Sequence, residues 1–367
     1  MSDGNNGQFD FSCNVAHVGS IPTPRLVTSS QAAQLIASGQ INGLKKFTRD
    51  FFGDNNVRMP DGNTVEFWGF ADETGRKGLP SPQIRVMEGE VAQVALKAGK
   101  RVHTIHHHGI EPEPFNDGVG HTSFEVSGNY TYQWRPTEAG SYWYHCHVNT
   151  VLHVQMGLFG TLVVDPYPAT NPKKVFRGGP EYVHERYWVP YSVDPRWHTL
   201  DHAAGLCGDD VGLNNFQPKY FAIAGSFQTD GNNPDAVGQA PPITDPSVAI
   251  TAKSGEPILI RVLNGQYFPV SIVFGNPTKR LTVEAVASDG RPLLDTANFT
   301  GQRRTALPLA LAATDILPRI TPAERYDLIL NRAERPVPPG VYPVTVRFMH
   351  WISGDVVGFA QTLITIT

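Results

Sequence analysis

The sequence contains no apolar run approaching the roughly twenty residues that a membrane-spanning helix needs. It carries no block of like charge either: 30 Lys and Arg stand against 34 Asp and Glu, a formal charge of −4, so there is no basic stripe to hold a nucleic acid. Cysteine is scarce. Cys13, Cys146 and Cys207 are far apart in sequence, which excludes the closely spaced pairs of a structural zinc site and the dense pattern of a disulfide scaffold. Cys13 and Cys207 could pair in an oxidising compartment or remain buried thiols, and spacing alone leaves both open. The first residues, Met1 to Gly7, lack the basic and apolar regions of a signal peptide. Either the protein is cytosolic or its export signal is not visible in this sequence.

What is present points to a β protein of two parts. A chain of 367 residues with 40% hydrophobic and 17% charged residues is globular and large enough for two ordinary domains. The 35 Gly and 30 Pro suit many tight turns. Residues 1–60 read as an irregular arm with one short helix over Gln31 to Ser38, capped by Ser29 or Ser30. Short alternating segments follow, among them 64–70, 83–87, 91–96, 130–134, 141–145 and 160–164, punctuated by Gly and Pro. The Pro-rich stretch Asp165 to Pro172 reads as a linker. A second series of strands then runs through 182–189, 257–263, 270–274, 281–286, 325–330, 341–348 and 360–366. The expected architecture is all-β, two tandem Greek-key β-sandwich domains over 61–166 and 173–367 behind the N-terminal arm.

Chemistry concentrates in two clusters of the first domain. One is His103-Thr104-Ile105-His106-His107-His108-Gly109, and the other is His145-Cys146-His147 followed by His153 and Met156. Two imidazoles, a thiolate and a weak axial thioether are the donor set of a mononuclear, electron-transferring copper. The set His103, Cys146, His153 and Met156 fits it. On a strand, neighbouring side chains face opposite ways, so Cys146 turns toward one metal while His145 and His147 turn toward another. By the same parity His106 and His108 share a face, with His103 and His107 opposite. His106, His108, His145 and His147 then form a second metal group, one covalent step from the cysteine. His107 is expected beyond the metal face, in a supporting or solvent-facing position. Glu111, Glu113, Asp117 and Asp209 lie in loops from which a carboxylate could relay protons, although loop carboxylates are ordinarily just solvated.

These motifs resemble those of the multicopper oxidases, including their two-domain laccase-like members, and of the related copper nitrite reductases. His103 to Gly109 is similar to the family's first histidine motif, and Tyr144-His145-Cys146-His147 to its second. Glu138 to Tyr144 and Met156 to Val164 resemble the motif's flanks. Arg261-Val262-Leu263-Asn264, Ala287 to Leu293 and Pro322 to Asp327 are similar to a redox-silent cupredoxin domain. The resemblance implies cupredoxin-like sandwiches, type 1 copper on His103, Cys146, His153 and Met156, and type 2 copper, extended to type 3 where the cluster is full, on the other four histidines. It implies one-electron oxidation of a phenol, aromatic amine or metal ion coupled to dioxygen reduction. A nitrite-reductase-like enzyme and a plain copper electron carrier are the alternatives.

Three departures qualify the resemblance. The position that holds the type 1 histidine in laccase-like enzymes is Val151 here, and His153 comes two residues later. The family's trinuclear cluster needs eight histidines, whereas His184, His198, His202 and His350 of the second half form no His-x-His pair. His350 follows a Gly-Val-Tyr strand start and resembles the histidine that completes type 2 copper on a neighbouring nitrite reductase subunit, but His106 would then replace the catalytic aspartate. A homotrimer, and a periplasmic or secreted location, are the corresponding expectations for assembly and compartment.

Overall fold

The computed structural model describes residues 17–18, 25–206, 208–293, 309–310 and 316–367. Cys13 and Cys207 fall outside them, as does their pairing. The fold is all-β, two tandem cupredoxin-like sandwiches. The first has a five-stranded sheet in the order His17–Val18, Glu125–Trp134, Glu90–His103, Gly43–Arg58 and Thr64–Ala71, facing a four-stranded sheet of Ser81–Met87, Phe159–Asp165, Gly140–His145 and His106–His108. The second pairs a sheet built on His184–Trp188, Ile258–Leu263, Arg325–Leu330 and Glu284–Ser288 with one built on Ile250–Ala252, Val356–Ile366, Gly340–Met349 and Val270–Asn276. Alternation makes each sheet two-faced, and the inward faces meet as dry cores. One core gathers Phe70, Ile84, Val94, Leu96, Tyr132 and Leu162 with Cys146 and Met156, and the other Trp188, Ile260, Val270, Val344 and Ile364.

The arm expected over residues 1–60 is corrected at its C-terminal end. Gly43–Arg58 is a strand that pairs in parallel with Glu90–His103 and in antiparallel with Thr64–Ala71. Its alternation was masked by a register shift between Phe52 and Asn55 and by weak burial along much of its length. The helix is where it was expected, Ser29–Ala37, but Thr28 caps it: the Thr28 hydroxyl accepts from the Gln31 N–H, and the Gln31 side chain accepts from the Thr28 N–H.

The strand Gly140–His145, which leads directly into Cys146, is pressed between the two sandwiches. The Gly140 backbone lies so close to Gly290 that a Cβ there would sit 2.6 Å from the Gly290 Cα, so this contact requires glycine. Ser141 Oγ donates to the Asp327 carboxylate and accepts from Arg261 Nη1 at 3.0 Å, and Tyr187 donates to the Tyr142 carbonyl at 2.6 Å. Arg261, fully buried, pairs with Glu185 at 2.7 Å, which also pairs with Arg85 at 2.7 Å. Burial pushes the Glu185 carboxyl up, but the guanidiniums of Arg261 and Arg85 outweigh it and hold it at about 2.

Candidate metal centre

The two halves of the upstream histidine cluster belong to different sheets. The strand Glu90–His103 ends on His103. Thr104 and Ile105 cross over, and His106–His108 begins a strand that pairs with Gly140–His145, His106 opposite His145 and His108 opposite Trp143. The separation of His103 from His106 and His108, expected from strand parity, thus comes from a crossover between sheets. Cys146 follows the strand, and its N–H donates at 2.9 Å to the carbonyl of Leu158, the residue before the neighbouring strand Phe159–Asp165.

Around Cys146 the donors converge in a dry site. Its Sγ lies 3.3 Å from His153 Nδ1 and 3.6 Å from His103 Nδ1, and all three residues, with Met156, are fully buried. His153 and Met156 are carried by the helix Thr150–Met156, three residues apart and therefore on one face. That helix absorbs the two extra residues between cysteine and histidine. Asn149 starts it with a left-handed φ of 42°, the His153 N–H donates to the Asn149 carbonyl, and Val151 is turned outward, 43% exposed. His153 Nε2 donates to the His202 carbonyl at 3.1 Å, which leaves Nδ1 as a lone pair aimed at the sulfur. Burial lowers the His153 imidazole to about 3, keeps His103 neutral as well, and pushes the Cys146 thiol up to about 12. Two neutral imidazoles and a thiol pointing at one another have no better common partner than a soft cation, which would displace the thiol proton.

The second group opens onto a cleft. Ligating atoms of His106, His108 and His145 all lie within 4.8 Å of one another. His145 Nδ1 donates to the Cys146 carbonyl at 2.8 Å and His106 Nδ1 to the Asp117 carbonyl at 2.8 Å, so both present Nε2 inward. The Asp117 carboxylate stands a further 3.3 Å from His106 Nδ1. His108 Nδ1 lies 3.3 Å from His145 Nε2. The His147 ring flanks the group, 5.5 Å from that of His106, with its Nδ1 3.3 Å from the Thr150 hydroxyl. Burial lowers His108 to about 3 and holds His145 and His147 below their ordinary range, so these three are neutral nitrogen donors. The cleft, about 280 Å³, is walled by Trp143, Val151 and Val154 on one side and by Asn264, Gln266, Tyr267 and Pro322 of the second sandwich on the other.

Other sequence-selected residues are distributed differently. His107 does point away from the metal face, but into the core and not toward solvent: it is fully buried, against Trp134 at 5.0 Å and Tyr132 at 5.7 Å, with no hydrogen-bond partner for either ring nitrogen among the described residues. His350 is not gathered with the cluster within one chain; it closes a turn in which its Nδ1 accepts from the Ser353 N–H at 3.2 Å. The residue that sequence reading missed is His202, whose ring lies 4.4 Å from that of His153 and 4.8 Å from that of His103. No spacing signal could have found it, because it arrives from an irregular loop some fifty residues downstream.

Residues 54–169 match the multicopper oxidase family. The chain is 28% identical over 332 residues to the copper resistance protein A homolog of Pseudomonas syringae pv. tomato, covering 78% of this chain and 47% of that protein. It is 39% identical over 94 residues to a copper resistance protein A of the same pathovar, covering 24% and 15%. It therefore spans less than half the length of these curated relatives. The blue copper oxidase of Nitrosomonas europaea shares the fold at a TM-score of 0.60 and 23% identity, over 88% of this chain and 86% of that one. The copper nitrite reductase of the same organism shares it at 0.57 and 16%, over 89% and 94%.

Proposed function

We propose that this chain, whose residues 54–169 match the multicopper oxidase family, is a copper-dependent oxidase that takes single electrons from a small donor, a phenol, aromatic amine or metal ion, and reduces dioxygen. The observation that carries this reading is the pair of donor sets set back to back across one peptide: Cys146 Sγ faces His103 and His153, while His145, hydrogen-bonded to the Cys146 carbonyl, faces His106 and His108. Residues His103, Cys146, His153 and Met156 would hold a type 1 copper, and His106, His108, His145 and His147 type 2 or type 3 copper. Copper bound there would supply one-electron acceptance at the sulfur centre and oxygen reduction at the histidine centre.

The chain's own groups prepare both places. The carbonyls of His202, Cys146 and Asp117 fix the tautomers of His153, His145 and His106, so the lone pairs point inward before a metal arrives. The buried shell of Trp68, Leu152 and Leu158 excludes water from the sulfur side. Trp143, 4.2 Å from the His145 ring, walls the cleft, which stays open to a small diatomic or triatomic ligand. The Asp117 carboxylate stands 3.3 Å from His106 Nδ1, at the rim of this group.

The histidine group of one chain is half of a full cluster, so we infer a homotrimer in which a neighbouring second sandwich closes the cleft. Trp351 and Ile352, exposed beside His350, are apolar surface that such a contact would cover. The proposed domain limits remain 61–166 and 173–367, with Gly43–Arg58 added to the first. Among the described residues no helix is long and apolar enough to cross a membrane, and the proposed location is periplasmic or secreted. Copper content per chain, oxygen uptake with a phenol, and nitrite turnover test the reading together. Copper beyond the sulfur centre with oxygen consumption supports it. Turnover of nitrite with His350-dependent copper favours the reductase alternative, and a single copper with neither activity favours the electron carrier. A sedimentation mass of a lone 40.2 kDa chain would contradict the trimer.

A further inference from the structure

The sulfur centre of the first sandwich is closed by chain from the second half. Trp197 is buried in the same core as Cys146 and Met156, and Leu200, Ala204, Leu213 and Phe216 pack against that core's margin. His202 is the pivot of this cover. Its carbonyl accepts from His153 Nε2 at 3.1 Å and from Asn149 Nδ2 at 3.3 Å, and Asn149 Nδ2 also donates to the Ala204 carbonyl at 2.9 Å. On its other side His202 Nε2 donates to the carbonyl of Val102, the residue before His103, at 2.9 Å. Its ring is stacked on Trp68 at 6.0 Å and touches both ligand imidazoles. One loop is thus fastened to both segments that carry the sulfur-site ligands. With it in place the four side chains of the set have no exposed surface, whereas His202 is half-buried between exposed Asp201 and Ala203.

We propose that His202 is a specificity-determining cover for this centre: an electron donor meets the His202 face and not the edge of the His153 imidazole, and a copper ion reaches Cys146 only when the segment 197–206 lifts. This rests on the reading of His103, Cys146, His153 and Met156 as a copper site. The geometry separates two kinds of donor. A compact metal complex needs only approach, so the shape of residue 202 matters little to it. A bulky phenol gains from lying against an imidazole edge, and the His202 ring denies it that edge.

The test uses metal-free full-length chain mixed with Cu(II), following the growth of the thiolate–copper absorption in the visible, then its decay in excess EDTA. Asn149→Ala and His202→Ala should each load and lose copper at least about tenfold faster, the equivalent of one hydrogen bond's contribution to closure. His202→Phe, which keeps a ring against Trp68 and both imidazoles but lacks the Nε2–H that holds the Val102 carbonyl, should load and lose copper faster than the unaltered chain and more slowly than His202→Ala on the same scale. In the loaded protein, KM for a methoxyphenol should fall in His202→Ala while KM for hexacyanoferrate(II) should not. Loading and loss rates in both alanine variants equal to those of the unaltered chain would overturn the proposal. An unaltered chain that never develops the absorption would overturn instead the copper reading beneath it.

Discussion

The two donor groups meet at the Cys146 backbone, yet they are enclosed in opposite ways. The sulfur group is complete within one chain, dry, and covered by a loop from the second half. The histidine group is open to a cleft between the two sandwiches. The same device orients ligands in both, a ring nitrogen bonded to a backbone carbonyl, so the difference lies in the surroundings and not in how each imidazole is held. Completeness and dryness suit a centre that changes charge without exchanging ligands, because little has to reorganise. An open face suits a centre where a substrate must bind.

The contrast can be broken most severely at the shared residue. Cys146→Ser should abolish both the intense visible absorption and turnover, while the histidine group, which does not use the thiol, keeps its copper; metal analysis beside the spectrum checks this. Next in size is the interface that clamps the ligand strand. Asp327→Ala removes a partner from the fully buried Arg261 guanidinium and should destabilise the chain by about 3 kcal/mol, the low end for a broken buried pair because Glu185 remains. Chemical denaturation would register it, and an unchanged midpoint would mean that the strand is held by packing alone.

A comparable effect should appear as a pH dependence at His198. It is buried beside Phe67, its Nδ1–H donates to the Glu66 carbonyl, its Nε2 accepts from the Gln155 amide, and burial lowers it to about 4. Its folded pKa lies below the unfolded 6.5, so the unfolded chain binds the extra proton. Stability is present in full above 6.5 and is lost as pH falls toward 4, by about 3 kcal/mol. His198→Phe should flatten that part of the stability profile of the metal-free chain, and an unchanged slope would show that other groups dominate it. The smallest expected effect is at Asp117. Asp117→Ala retains the carbonyl that fixes His106 but removes the carboxylate 3.3 Å away, and should weaken metal retention by the histidine group tenfold to a hundredfold, leaving the visible absorption intact.

What could be read in advance follows from the range of the forces involved. Strand segments such as 325–330 and 341–348, observed as Arg325–Leu330 and Gly340–Met349, were legible because alternation is a local consequence of the pleat. Ligand candidates were legible because histidine, cysteine and methionine are rarely clustered without a metal. Gly43–Arg58 was hidden because its polar, bulged sequence satisfies a strand only through its neighbours. The helix that brings His153 to Cys146 depends on a left-handed Asn149, a conformation no spacing rule announces. His202 was invisible for a stronger reason: its role exists only once two distant parts of the chain are packed together.

The central claim is that two metal groups stand back to back across Cys146. Anomalous diffraction at the copper edge from crystals of the copper-loaded protein tests it most directly. The account predicts one peak bounded by His103, Cys146 and His153 and a separate peak among His106, His108 and His145. Copper elsewhere, with no peak beside the Cys146 sulfur, would contradict it.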